Sequence, residues 1–396
     1  MRLVWVVPGD RGGGVVWVAD SCCRQAVAEG FDARLLTLEH LSSPTLRTIA
    51  YPCESMDVTP PYTDTPARFL RWVEVNSPTV VFLNNVDTMD CCIPYLPREV
   101  RCVYVVHDTM SFYWRAAVRH EASLDAIVAV SAETASRFRH KLKAPEKLHV
   151  IQNGTVFPPL PNLLGNPRRP DLVFLGGDDP RKGAYDVLAL WPRLVASGWT
   201  GELHWFGRLA GEFRARVSAL PAHSRIQVHG HMPRAEVFRK LGASSAMLML
   251  SRAEACSIAL LEGMAMGCVP VAWDIAGTGT KEIVPLGQRF LASLSDFDAL
   301  TQQVHAAIEK QESLASDLAA TARSNFSEAR MWRQYAEMIA SMGATPSAAR
   351  PLAGSAAPVY KPPLRASHLV PLTIWKWLRP RIAQSGRIYY FLRNKL

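Results

Sequence analysis

Two glutamates, Glu254 and Glu262, stand eight positions apart in the stretch EACSIALLEGMAMGCVPVAW, residues 254–273. Between them Ser257 offers a hydroxyl that can accept an orphan N–H of a first helical turn. Gly267 suits the position just past a last turn, and Pro270 cannot continue the helix. The spacing therefore predicts a helix over 258–266, with Glu254 in the loop before it and Glu262 on its second turn. That helix is apolar all round, so it should be buried on most sides, and a carboxylate inside it is costly unless something pairs with it. A helix N-terminus presents free N–H groups and a partial positive charge, which favours an anion. One carboxylate before an anion seat and one behind it suit a ligand carrying hydroxyls on both sides of a phosphate, as a nucleotide-sugar does. The alternative is that Glu262 meets an internal Arg or Lys and Glu254 is solvated. The agreement of cap, apolar helix and following VPVAW strand favours the ligand.

Further polar residues fall at strand ends. Pro8-Gly-Asp-Arg-Gly12-Gly13-Gly14 follows a first apolar run and opens a helix, where small residues let a ligand approach the backbone. It is not G-x-G-x-x-G, since counting from Gly12 the third glycine would fall at Trp17, which argues against an ordinary NAD site. His107-Asp108 ends the run VYVV. Gly176-Gly177-Asp178-Asp179-Pro-Arg181-Lys182-Gly183 follows LVFL, with two cations that suit an anion and two carboxylates that do not unless they point away or recruit a metal. Gly277 and Gly279 follow the VPVAW strand, and Asn153-Gly154 is an ordinary turn signal with no catalytic role.

These residues need elements to hold them. Apolar runs at 3–7, 80–83, 103–106, 127–130 and 148–151, then at 172–175, 203–206, 226–228, 246–250 and 269–273, alternate with helical patterns. Continuous β-rich runs separated by helices indicate parallel sheets covered on both faces. Ligands of such sheets bind beyond the carboxyl ends of the strands, where most of the residues above fall. The proline-rich segment 157–170 breaks the pattern and reads as an interdomain linker. The chain of 396 residues thus divides into domains at 1–160 and 161–340, a Pro/Ala/Gly/Ser-rich segment at 341–366 that reads as a flexible linker, and a tail at 367–396.

The charge is uneven. The net +9 lies wholly in residues 338–396, which hold nine Lys or Arg and no Asp or Glu, while the other 337 residues carry 35 of each sign. In the tail, Trp375, Trp377, Tyr389, Tyr390 and Phe391 interleave with Lys376, Arg379, Arg381, Arg387, Arg393 and Lys395. That pattern suits an anionic membrane surface, with packing on the protein's own body and nucleic-acid binding as the alternatives. No run approaches 18 apolar residues, and the N-terminus reads as a first strand rather than a signal peptide. The eight cysteines make no CxxC and read as reduced thiols of a cytoplasmic enzyme.

The 254–262 stretch resembles the E-x7-E motif of the retaining glycosyltransferases of family 4, which have the GT-B fold: two doubly wound, Rossmann-like domains facing across a cleft. The resemblance implies that Glu254 contacts the donor sugar, that Glu262 binds the ribose hydroxyls, and that backbone N–H groups of Cys256, Ser257 and Ile258 face the donor. Gly176, Lys182 and Gly183 match by spacing the family's G-R-x4-K-G loop, whose Arg and Lys grip the donor diphosphate. The family's arginine position is Gly177 here, and Arg181 is the candidate to supply the missing charge. Gly12, Gly13 and Gly14 resemble the family's N-terminal glycine-rich cleft loop, and His107 its histidine near the reacting sugar. Asp125–Ser131 and Val150–Gly154 resemble its V-S and N-G segments, and 276–284 its G-G-x-x-E-x-V loop.

The expectation that follows is a retaining, metal-independent transferase with no cofactor, moving a sugar from a nucleoside-diphosphate sugar to a hydroxyl acceptor. Glu254, His107 and Lys182 would act at the reaction centre, with domain closure excluding water. Peripheral attachment at the inner membrane face through the tail would fit a glycan or lipid-linked acceptor of envelope polysaccharide or glycolipid assembly; no nucleic-acid partner is expected. Gly177 keeps open a second reading, a GT-B-like nucleotide- or glycan-binding protein without transfer activity. A nucleotide-sugar epimerase is a third.

Overall fold

The computed structural model describes residues 1–9, 13–39, 51–59, 62–159, 168–343 and 348–361. Among the described residues two compact units result, and the chain passes between them twice: those within 1–156 and 328–361 form the first, those within 157–327 the second.

The first unit begins β1 (Arg2–Val7), α1 (Gly14–Ala28), β2 (Asp32–Thr37), β3 (Cys53–Ser55), α2 (Thr65–Asn76), β4 (Val80–Leu83) and α3 (Asp87–Asp90). It continues β5 (Arg101–Val106), α4 (Ser111–Arg119), β6 (Ala126–Ala129), α5 (Ala132–Phe138) and β7 (Leu148–Val150). Its seven strands are all parallel in the order β3-β2-β1-β4-β5-β6-β7. Strands β4, β5 and β6 are buried at every position, as expected of a parallel sheet covered on both faces.

The second unit runs β8 (Arg169–Leu175), α6 (Ala184–Ala196), β9 (Leu203–Phe206), α7 (Gly211–Ser218), β10 (Ile226–Gly230), α8 (Arg234–Ala243), β11 (Ser244–Met249) and α9 (Ile258–Ala265). It closes with β12 (Val269–Asp274), α10 (Thr280–Ile283), β13 (Phe290–Ser293), α11 (Phe297–Glu309) and α12 (Gln311–Asn325). The sheet is again parallel, in the order β10-β9-β8-β11-β12-β13. The strand order reverses direction at β8/β11, which makes the loops after those strands the natural ligand crevice.

Two findings differ from the sequence expectation. The last helix, α13 (Glu328–Ser341), belongs to the first unit although it follows the whole second series. Its Trp332 lies 6.1 Å from Trp5 between ring centroids and its Tyr335 5.9 Å from Phe82, while Trp5 and Phe82 themselves stack at 4.3 Å. Glu328 also pairs with Arg24 at 2.9 Å and accepts from Gln25. An amphipathic helix announces that one face will be buried, and only the partner sheet says where.

The second difference lies in 341–366. Residues 348–361 are not a free linker; they strap the first unit. Arg350 is buried, and its guanidinium pairs with the equally buried Asp125 at 2.8 Å and donates to the carbonyls of Ser123 and Val100. Around it, Ala349 donates to Ala122, Leu352 to Pro94 and the Tyr360 hydroxyl to Asp87. Composition measures chain entropy, and here one buried ion pair with its carbonyl partners outweighs it. The tail at 367–396 lies outside the described residues.

Candidate nucleotide-sugar site

The loop after β8 is shaped by three glycines. A Cβ on Gly176 would sit 2.2 Å from the Phe174 ring and 2.9 Å from the Cβ of Lys182, so glycine there lets Lys182 fold back over the strand end. Gly183 has a φ of +88° and would drive a Cβ to 2.4 Å from the Leu250 carbonyl oxygen. Gly177, also left-handed at +52°, is closed in by the backbone of Arg208.

Because Gly183 allows the close approach, the loops after β8 and β11 pack backbone to backbone, and the Arg252 N–H donates to the Arg181 carbonyl at 2.7 Å. Beneath this contact lies a buried triad. Asp186 on α6 accepts from the Arg252 guanidinium at 2.7 Å and from the Trp273 indole on β12 at 2.8 Å. Burial raises the Asp186 carboxyl above its usual range, against the opposing pull of Arg252. The triad ties the helix that begins just after Lys182 to the loop that carries Glu254.

The result is that Lys182 and Glu254, 72 positions apart, form an ion pair. Ser251 Oγ also donates to Glu254 Oε2 at 3.3 Å. The loop carrying Glu254 is held from behind: Gly279 N–H donates to the Glu254 carbonyl at 2.7 Å, and a Cβ on Gly279 would meet the Ala255 oxygen at 1.7 Å. Gly279 therefore serves this packing.

Helix α9 starts as the sequence predicts. Ser257 Oγ accepts the Leu260 N–H, and Gly267 closes the end with a φ of +72°. Cys256 and Ser257 are buried and Ile258 is half-buried at this N-terminus. Glu262, 9% exposed, is not left alone inside the apolar helix: both Nε and one Nη of Arg234 on α8 reach its Oε1, at 2.7 and 2.6 Å. Burial raises the Glu262 carboxyl, and Arg234 partly offsets the rise. Arg234 escaped the sequence reading. The only available signal was the demand of Glu262 for a cation, which names no position.

Arg181 and the two aspartates are also engaged. Arg181 forks onto Asp179 through Nε at 3.1 Å and Nη2 at 2.8 Å, and its backbone N–H donates to the same carboxylate. Burial would raise Asp179, but the charge and hydrogen bonds of Arg181 prevail and hold it below its usual range. Asp178 accepts from the Ala210 N–H at 2.8 Å. The two carboxylates therefore do not converge on a shared metal. Among the described residues one group could hold a metal ion, Asp171, Glu202 and His204; it sits near the amino ends of β8 and β9, at the other end of the strands from Lys182.

In the first unit, His107 follows β5 and its ring Nε2 lies 2.9 Å from Asn84 Oδ1. The Asn84 amide nitrogen donates to the carbonyls of Val6 and Phe82, so its oxygen faces the histidine and His107 carries its proton on Nε2. Although the residue keeps some exposed surface, burial lowers its pKa to about 4. His107 is thus a neutral imidazole with Nδ1 left as an acceptor. Asn85, left-handed at a φ of +53°, accepts the His107 backbone N–H at 3.1 Å. Neither asparagine was singled out from the sequence. Gly13 provides the N-cap of α1, Gly14 begins that helix, and Gly12 lies outside the described residues.

Residues 169–310 match the family described as Glycosyl transferases group 1, and residues 12–156 match Glycosyltransferase Family 4. No curated protein matches the chain by sequence. Among solved structures, the chain is similar to sucrose-phosphate synthase from Thermosynechococcus elongatus at 14% identity, covering 86% of this chain and 99% of that one, with a TM-score of 0.71. It is similar to HepE of Anabaena, solved in complex with UDP, at 18% identity over 86% and 99% of the two chains, with a TM-score of 0.69. A glycosyltransferase from Rickettsia africae gives 15%, 86% and 98%, with a TM-score of 0.70. At such identities the likeness is one of fold.

Proposed function

The chain belongs to the group 1 glycosyl transferases with the GT-B fold, and from that premise we propose that it is a retaining, metal-independent transferase using a nucleoside-diphosphate sugar. The observation that carries the reading is the meeting of Lys182 and Glu254 across the loops after β8 and β11, with Glu262 on the helix that follows. When the glycosidic bond breaks, charge grows on the leaving diphosphate. Lys182 and the N-terminal N–H groups of α9 stabilise that charge electrostatically. Glu254 accepts from sugar hydroxyls and holds the ring for attack, and Glu262 accepts from the ribose, so part of the barrier is removed by positioning. Neutral His107 serves as a hydrogen-bonding group toward the sugar rather than as a charged acid. Neither paired carboxylate is assigned as a nucleophile; front-face attack, with the donor phosphate taking the acceptor proton, accounts for retention.

The acceptor is proposed to be a glycan or lipid-linked saccharide of envelope assembly, met at the inner membrane face through the basic aromatic tail. No helix among the described residues is long and apolar enough to cross a membrane. Flotation on anionic vesicles by the full chain, but not by a chain ending at Lys361 that keeps the strap, supports the tail's role; equal behaviour refutes it.

The principal test is calorimetric titration with UDP, GDP, ADP, CDP and TDP, followed by transfer assays with the matching sugar nucleotide and NMR of the product anomer. Selective binding lost in Glu262→Ala, and transfer lost in Lys182→Ala, are the expected results. Retained transfer in both variants overturns the assignment. Binding without transfer or donor hydrolysis would favour the second reading, an inactive nucleotide-binding protein, for which the glycine at 177 is the specific observation.

A further inference from the structure

Position 177 holds glycine where the resembled loop carries a diphosphate-binding arginine, and the structure gives a physical reason for the glycine. The loop after β8 is joined to the end of β9 and the loop that follows it by four hydrogen bonds. Gly177 N–H donates to Phe206 O at 2.8 Å and Asp178 N–H to Arg208 O at 3.1 Å. The Trp205 indole donates to Gly177 O at 2.9 Å and Ala210 N–H to Asp178 at 2.8 Å. A Cβ on Gly177 would stand 2.9 Å from the Arg208 carbonyl oxygen, and a Cβ on Gly207 would stand 2.6 Å from the Gly177 nitrogen. Each glycine answers the close approach of its neighbour's backbone, and a side chain at 177 would press on the Arg208 carbonyl while the loops are joined in this way. What the joining brings to that spot is the backbone of Arg208.

The cations around this loop are not equally available. Arg181 is forked onto Asp179, and Lys182 is balanced by Glu254. Arg208 is exposed, and among the described residues its side chain has neither ion pair nor hydrogen bond. A diphosphate brought to Lys182 would meet a pair that is already neutral, so it needs a further cation whose charge is not spent. A planar guanidinium with five donors suits a phosphate better than any other side chain. The Arg208 backbone nitrogen and carbonyl oxygen stand 3.3 and 2.9 Å from where a side chain at 177 would start, so the two positions are neighbours, and an arginine side chain spans several ångströms.

We propose that Arg208, on the loop after β9, is the second donor-diphosphate cation of this protein, the part that Gly177 cannot play and that Arg181 does not. The assignment rests on the nucleotide-sugar reading of the site and names a residue which that reading lacks. The Gly177–Gly207 contact is then the structural device that moves the arginine from one loop to its neighbour.

The test compares nucleoside diphosphate with monophosphate, because a β-phosphate contact is visible only in that difference. The full-length protein, Arg208→Gln, Arg208→Lys and Arg181→Gln are titrated with UDP and UMP, GDP and GMP, and ADP and AMP, and their melting is compared as a check on folding. The unaltered protein should prefer its diphosphate. Arg208→Gln should lose about tenfold or more of that preference while monophosphate affinity changes little, Arg208→Lys should restore part of it, and Arg181→Gln should keep it. A full diphosphate preference in folded Arg208→Gln, or its loss in Arg181→Gln instead, overturns the proposal. If the unaltered protein binds none of the diphosphates, the donor-site reading itself fails and takes this assignment with it.

Discussion

Replacing Arg234 with Met should convert Glu262 from a paired carboxylate into an isolated one, and the cost should depend on pH with a definite sign. In the native protein two nitrogens of Arg234 contact Glu262 Oε1, and the side chains are 29% and 12% exposed. Breaking a buried pair by removing one partner costs about 3–5 kcal/mol. Nearly a third of Arg234 is already in water, so the lower end, about 3 kcal/mol, is expected near neutral pH. Burial already raises the Glu262 pKa above its ordinary 4.5, and removing Arg234 takes away the charge and hydrogen bond that oppose that rise. The folded variant therefore holds a proton that the unfolded chain releases once the pH passes the ordinary glutamate range. Stability falls as pH rises through that window and levels off above the new folded pKa. Below about pH 4.5 both states are protonated, so the charge-dependent part of the deficit disappears while the loss of other Arg234 contacts, such as its packing 5.1 Å from the Phe238 ring centroid, remains. Urea unfolding of parent and variant at pH 4.5, 6 and 7.5 reads this directly. Glu262→Gln in the Arg234→Met background should recover most of the deficit, since the amide carries no charge to strand. A deficit equal at all three pH values, or a double variant no better than the single one, refutes the reasoning.

Three other outcomes follow from the geometry. His107, held neutral with a folded pKa of about 4 against an ordinary 6.5, makes the fold acid-sensitive, because the unfolded state gains a proton that the folded state refuses as pH falls below 6.5. His107→Gln should therefore remove about 2 kcal/mol of the stability lost between pH 7 and 5, and an unchanged loss would show that this histidine is not the group responsible. Arg350→Met strands buried Asp125 and should free the strap: limited proteolysis ought to cut within 348–361 at enzyme levels that leave the parent intact, while an unaltered digestion pattern would mean that the strap is held by its backbone bonds alone. Gly177→Ala imposes a left-handed conformation on a residue with a Cβ, besides the 2.9 Å approach to Arg208, and should lower stability by about 1–2 kcal/mol or more; a neutral effect in urea unfolding would contradict the tight joining of these loops.

Much of both sheets and of the glutamate-motif helix was readable from short-range rules. Ser257 was readable as a cap because a hydroxyl before an apolar run has one common use, and Gly267 as an end because the chain must turn left-handed there. Runs such as VVFL at 80–83 and LHWF at 203–206 are strands where read, since a sheet covered on both faces demands unbroken apolar sequence. The strands that escaped are those lacking that signature. β2 is interrupted by Arg34, which pairs with Asp32 and Glu54, and β3 and β13 are short edge strands with partial burial. Their pairing energy comes from a neighbour, and no local pattern records it.

Partnership and membership were beyond reach for the same reason. Glu262 required a cation, but Arg234 was one arginine among many until α8 packed beside α9. Asp186 in the amphipathic helix α6 gave no sign that it would join Arg252 to Trp273. Residues 348–361 had the composition of a linker, and one arginine finding a buried aspartate 225 positions away overrode it. The glycine at 177 read as a missing arginine, whereas the structure sets it left-handed against the Arg208 backbone, whose carbonyl oxygen would stand 2.9 Å from a Cβ there. By itself the sequence determined the two parallel-sheet domains, the capped helix of the glutamate motif and the loops that bear the charged residues, because caps, periodicity and turns act within a few residues of the chain. Only the tertiary structure decided which charge answers which, where α13 belongs and what position 177 is for. Those outcomes depend on desolvated contacts between residues tens to hundreds of positions apart, whose energies exist only once the sheets have formed.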